Sequence, residues 1–324
     1  MPKKLYCNFK IIGILLGAFI LASCSADGVH KLSQHEDDVH HHAGEILVLN
    51  PPADYTDTLP ELGLSLIDIN KMDGLGITLY HLKIENGAHP FDMRQAHKKR
   101  HPNVTVDVHH HFEQHARKKK KTIDKSYTSR SAATWRKAGT KCGLGIRLGM
   151  IDGGVDTKHP AFKGHKLTYR SFHLKGQTIG AVRHGTAVAN VMTGNKKWGG
   201  LLPDAELFAA NVFHILKKGR KKGKARASSK SILLAMDWLT KLKVDVINFS
   251  IGGSYNSLIS HAIKQASAQG IILIASAGNS GPFTKNAAFP VPMMKRSPLP
   301  PPIDLTALPN SLLLVAMLSS WRLA

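Results

Sequence analysis

The chain has 324 residues, long enough for one large domain or two modest ones, which excludes a mini-protein held by cross-links alone. A hydrophobic share of 43% with 20% charged residues supports a packed core and excludes a disordered or collagen-like chain. The 44 lysines and arginines outnumber the 22 carboxylates, a formal charge of +22, so the surface favours anionic neighbours without naming a specific partner.

Lys3, Lys4 and Lys10 precede an apolar run from Ile11 to Ala22, shorter than the roughly 20 residues that span a membrane. This is the pattern of an export signal. Its end, Leu21-Ala22-Ser23-Cys24, resembles the bacterial lipobox, in which the cysteine is lipidated after cleavage in front of it. Residues 1–24 are expected to be a signal peptide with Cys24 as lipidation site. The protein is then exported and anchored as a lipoprotein facing the periplasm or the cell exterior; the alternative is a soluble export signal with an incidental cysteine. Cys7 leaves with the signal, so Cys142 remains alone, no internal disulfide forms, and Cys142 reads as a small semi-buried hydrophobe.

Residues 25–44 are polar and histidine-rich, with His30, His35 and His40 to His42, and read as a tether. From Glu45 the texture changes. Strand-like runs at 45–49, 62–69, 77–82 and 104–108, with a helical stretch over 91–99, predict a small α+β unit over 45–112. His109-His110-His111 follows the last strand. Consecutive strand residues point to alternate faces, which makes one shared metal site awkward, so no metal is assigned and a solvated cluster is the expectation, with pH-sensing in release of the unit as the functional alternative. Residues 113–140 contain Arg117-Lys118-Lys119-Lys120-Lys121 and read as a basic linker, either a solvated tract or a processing site or anionic-surface anchor.

Beyond Gly145 strands alternate with helices, the sequence pattern of a parallel sheet covered on both faces. Strands are expected at 146–152, 207–213, 243–250 and 270–276, and helices at 185–193, 230–242 and 258–269, the second with Ile232, Leu233, Met236 and Leu239 on one face and Ser228 or Ser229 as N-cap. The lysine-rich tract Lys217 to Lys230 reads as a loop. It has no interleaved aromatics and no nucleic-acid motif, so no specific nucleic acid is expected as a partner.

Open parallel sheets place active residues at the carboxyl ends of strands. Asp152 stands there, followed by Gly153-Gly154. His184 opens a helical pattern in His184-Gly185-Thr186-Ala187-Val188-Ala189, and Asn279 follows a strand in Ala275-Ser276-Ala277-Gly278-Asn279. In this order, with Asn248-Phe249-Ser250-Ile251-Gly252-Gly253 between them, the blocks resemble the subtilisin-like serine proteases, the subtilases. The resemblance implies an α/β, three-layer subtilisin-like fold with a parallel sheet flanked by helices over 141–324. It also implies that the unit at 45–112 is a ferredoxin-like pro-domain. It implies a serine endopeptidase acting on protein or peptide substrates, with Asp152 and His184 as two triad members and Asn279 in the oxyanion hole. Ser250, Ile251, Gly252 and Gly253 would line one side of the substrate cleft, and Ala275, Ser276, Ala277 and Gly278 the other. No cofactor is implied for catalysis. Many members bind structural calcium, for which Asp156 and Asp204 are the only carboxylates considered and no complete oxygen-ligand loop is seen.

One block is absent. The family's nucleophile stands in a Gly-Thr-Ser-Met-Ala-like helix start, and the Gly-Thr pairs here, Gly139-Thr140 and Gly185-Thr186, are not followed by serine. The late serines Ser297, Ser311, Ser319 and Ser320 lack the family's flanks. The chain is therefore expected to be C-terminally incomplete and inactive as written. The alternative is a non-catalytic subtilase-like lipoprotein that binds peptides or inhibits a partner.

Overall fold

A computed structural model describes residues 40–114, 142–174, 176–215 and 225–275. The first strands are β1 (His41–Leu49), β2 (Leu64–Met72), β3 (Ile77–Ile84) and β4 (Thr105–Gln114), with helices α1 (Tyr55–Thr58) and α2 (Pro90–Arg100). They pair antiparallel in the order β2-β3-β1-β4, the ferredoxin-like arrangement expected over 45–112. Ile46, Val48, Leu82 and Val106 alternate onto one face, where Tyr55, Leu59 and Met93 of the helical side cover them. β1 starts at His41, inside the stretch read as tether, and β4 carries on through Gln114, inside the stretch read as linker.

The second half contributes β5 (Arg147–Asp152), β6 (Leu167–Ser171), β7 (Thr178–Ile179), α3 (Arg183–Thr193), β8 (Glu206–Asn211), β9 (Phe213–Ile215), β10 (Ala225–Ser228), α4 (Ser229–Lys241), β11 (Val246–Phe249), β12 (Ile251–Gly252), α5 (Ser257–Ala268) and β13 (Ile272–Ala275). A five-stranded sheet runs β13-β11-β5-β8-β6, all pairs parallel. Both faces of its central strands are buried, as parallel sheets require. Leu148, Met150 and Leu207 face Ala189 and Met192 of α3, while Ile151, Ile247 and Phe249 face α4 and α5. The four apolar residues predicted for one face of α4 are fully buried in that second layer, and Ser228 caps the helix by accepting the amide of Ser231 at 3.1 Å.

The same layer also takes Leu47, Leu49, Met72, Ile77 and Leu79, so α4 and α5 are sandwiched between the antiparallel and parallel sheets. β4 extends this junction by pairing with β10 and β12. Here the loop expected over 217–230 needs correction, because 225–228 form β10 and Lys230 lies in α4. Its charges are buried and find carboxylates far away in sequence: Arg226 donates to Glu113 at 3.2 Å and Lys230 to Asp68 at 2.6 Å. Residues 216–224 of that tract lie outside the described residues.

Candidate active site

Asp152 is the last residue of β5, the central strand of the parallel sheet, and it is fully buried. Its Oδ1 accepts the Gly153 amide at 2.5 Å, His184 Nδ1 at 2.8 Å and Gln114 Nε2 at 3.0 Å. An ionised carboxylate only accepts, so Nδ1 of a neutral His184 carries the proton and Nε2 presents the lone pair. That is the tautomer a general base needs.

His184 sits in the first turn of α3, brought onto Asp152 by close approach of the helix to the Gly153-Gly154 turn. A Cβ at Gly185 would lie 2.5 Å from the carbonyl oxygens of both Gly153 and Gly154, so only glycine lets the helix start pack there. Thr186 completes the fit. Its hydroxyl donates to the Val182 carbonyl at 2.7 Å and accepts the Asp156 amide at 2.8 Å, tying the helix start to the turn after Asp152.

The segment Ser250-Ile251-Gly252-Gly253 follows β11 and runs beside the dyad's strand, with the Ser250 amide donating to the Ile151 carbonyl at 3.1 Å. Ser250, Ile251 and Gly252 are buried, and the last two pair antiparallel with Gln114 and Glu113 of β4. Phe112 packs so closely that a Cβ at Gly253 would lie 2.6 Å from its ring. Ala275 ends β13 beside Phe249. The predicted residues Ser276, Ala277, Gly278 and Asn279, the lipidation residue Cys24 and the late serines lie outside the described residues.

Gln114 is the residue of this site that sequence reasoning missed. It fell in a stretch read as linker, and only the register of β4 against β12 brings it to Asp152. The expectation of a solvated His109-His110-His111 is also corrected, since His109 and His110 are buried and His111 is partly buried. They lie on β4 where it enters the junction with β10, so water is excluded by the second half of the chain. Burial pushes the pKa of His109 down to about 3 and that of His110 to about 4. Asp156 and Asp204, the carboxylates considered for calcium, are exposed, and Cys142 is half-buried with its thiol near the Leu201 carbonyl.

Residues 143–296 match the family model described as Subtilase family. The chain is 31% identical over 151 residues to Subtilisin-like protease 5 of Arthroderma otae, covering 44% of this chain and 35% of that protein. It is 32% identical over 163 residues to Subtilisin of Bacillus sp. strain TA39, covering 47% of this chain and 38% of that protein. The chain thus spans little more than a third of the length of these curated relatives. Among solved structures, fervidolysin from Fervidobacterium pennivorans, described as a keratinolytic enzyme related to subtilisin, superposes with a TM-score of 0.52 at 17% identity, over 75% of this chain and 41% of that one. At that identity the likeness is one of fold, and it extends past the family segment. Residues 143–296 thus resemble the subtilase family, the subtilisin-like serine peptidases.

Proposed function

We propose that the chain is a serine-type endopeptidase of the subtilisin type, hydrolysing peptide bonds in proteins with Asp152 and His184 as two members of its triad. The observation that carries this reading is the 2.8 Å hydrogen bond from His184 to the buried Asp152 at the carboxyl end of the central parallel strand. In this mechanism His184 Nε2 takes the proton of a serine hydroxyl as the oxygen attacks the peptide carbonyl, and then returns it to the leaving amine. Asp152 holds the imidazole in the required tautomer and stabilises its charged form. Asn279 donates its side-chain amide to the developing oxyanion. Ser250 to Gly253 pair with the substrate backbone by strand addition, opposite Ala275 to Gly278. No serine of the 324 residues has the family's flanks, so none is named as nucleophile.

We further read the α+β unit as a pro-domain that masks this cleft. The pairing of Glu113 and Gln114 with Gly252 and Ile251, where a substrate strand would lie, supports that reading, as does the Gln114 contact with Asp152. Export, and anchoring through a lipid on Cys24, belong to the same proposal. A second reading, a non-catalytic peptide-binding or inhibitory lipoprotein, is favoured by the strand already seated in the cleft.

The test is hydrolysis of a fluorogenic peptide and labelling by a serine-directed fluorophosphonate, with the 324-residue chain beside His184→Ala. Turnover and labelling from the chain, with turnover falling by about 10⁴-fold or more in the variant, would mean that a serine outside the family's block completes the triad, and would uphold the endopeptidase reading for this chain. Neither signal from either folded protein would hand the site to the second reading.

A further inference from the structure

Away from the dyad, imidazoles converge on a single carboxylate in the antiparallel sheet. Glu45 Oε2 lies 2.7 Å from His109 Nδ1, 2.8 Å from His81 Nε2 and 3.8 Å from His42 Nδ1. His42 and Glu45 are three apart on β1, a spacing that would put them on opposite faces of a regular strand. A bulge reverses this. His41 pairs with His110 and Ile46 with Val108, so residues 42–45 stand opposite His109 alone, and Gly44 takes φ +70° within the bulge. His109 is itself two residues from His111, and both face His42, whose ring is stacked on that of His109 at 4.1 Å between centroids and tilted against that of His111 at 4.2 Å.

Each imidazole must find two polar partners or leave a buried nitrogen bare. His81 finds them, bonding Glu45 through Nε2 and accepting from Lys230 through Nδ1 at 3.4 Å. His109 is fully buried, and its Nε2 has no hydrogen-bond partner among the described residues; the same holds for His42 Nε2 and His111 Nδ1. A protein interior rarely carries several such nitrogens together. Ligand atoms of His42, Glu45 and His109 all lie within 4.8 Å of one another, and two imidazoles with one carboxylate form a donor set that suits a zinc-type ion.

We propose that His42, Glu45 and His109 bind one divalent transition-metal ion of the zinc class. Burial keeps His42 and His109 in the neutral form that ligates metal, and hydrogen bonds from His109 and His81 hold Glu45 ionised against the opposing effect of its own burial. Two stacked rings cannot both aim in-plane lone pairs at one point, so the ion draws His42 out of the stack. His81 remains on Glu45 as the partner that orients the carboxylate. The ion ties β1 to β4, the strand whose end reaches Asp152 through Gln114.

The test uses the metal-stripped full chain, titrated with Zn²⁺ in competition with a chromophoric chelator and, separately, with Co²⁺ followed by its visible absorption. One tight equivalent is expected, weakened by about 10–100-fold or more in Glu45→Gln and in His42→Asn, with the Co²⁺ bands lost from both. His42 and Glu45 are partly exposed whereas His109 is fully buried, so the test uses the first two and does not depend on a His109 variant that folds. A control with His30, His35 and His115 changed to Asn retains the tight equivalent. Unchanged Zn²⁺ affinity in both ligand variants, or loss of binding in the control, would overturn the assignment.

Discussion

Asp152–His184 and Glu45–His109 are the same chemical pair at nearly the same distance, 2.8 and 2.7 Å from imidazole Nδ1 to carboxylate oxygen, in two parts of one chain. Their surroundings differ. Asp152 ends a parallel strand beside a glycine turn and orients one imidazole, whose side chain is 22% exposed. Glu45 lies in a bulged antiparallel strand and collects several imidazoles, with His109 wholly buried. A pairwise distance alone does not define chemistry. Exposure of the ring, and the number of rings that share the carboxylate, separate the proposed general base from the proposed ligand cluster.

The sharpest way to break the comparison is Asp152→Asn. An amide presents a donor where the carboxylate accepted, so it turns His184 to the wrong tautomer without changing shape. Where a serine completes the triad, peptide hydrolysis is expected to fall by about 10⁴-fold, measured as kcat/KM with a fluorogenic peptide; a loss under tenfold would mean that Asp152 does not orient the base. A smaller effect is expected from Gly185→Ala. The added methyl meets two backbone carbonyl oxygens at 2.5 Å, which cannot swing aside as a side chain could, so overpacking should cost about 1–3 kcal/mol. Urea unfolding reads this directly, and an unchanged midpoint would show that α3 does not need its close approach to the aspartate turn.

What the sequence made legible follows the same division. Asp152, His184 and the apolar face of α4 stand on short-range patterns, namely a strand ending in Asp-Gly-Gly, a helix opening on His-Gly, and a 3.6-residue period. The buried charges of Arg226 and Lys230 do not. Each is neutralised by a carboxylate more than a hundred residues away in sequence, and a lysine-rich tract with no local partner resembles a solvated loop. His109 misled for a related reason. Residue type argues for solvent, alternation argues against a shared site, and both arguments assume a regular strand. The bulge at residues 42–45 rests on one glycine with positive φ, which a sequence shows only as a glycine. Gln114 was hidden by its neighbours, because the basic run after it marks a linker while the strand before it continues into the cleft.

The mildest prediction concerns a histidine outside both sites. His97 on α2 is fully buried by area and accepts the Tyr55 hydroxyl through Nε2 at 2.7 Å. Burial first, and the neighbouring His101 second, push its pKa down from 6.5 to about 4. The unfolded chain therefore takes up a proton near pH 6.5 that the folded chain refuses until about pH 4. Stability from this residue is complete above pH 6.5 and declines as pH falls toward 4, because only the unfolded state gains the proton. Between pH 7.5 and 5 the loss is about 1–2 kcal/mol. His97→Gln keeps an acceptor for Tyr55 and removes the titration, so its urea midpoint should drop less over that interval than the parent's. The other buried histidines, His110 and His214 among them, have pKa values lowered in the same direction and remain in the variant. The difference between the two proteins isolates His97. Equal drops would mean that the proton taken up on acid unfolding belongs to the β4 junction, and that α2 contributes nothing to the acid sensitivity of the antiparallel unit.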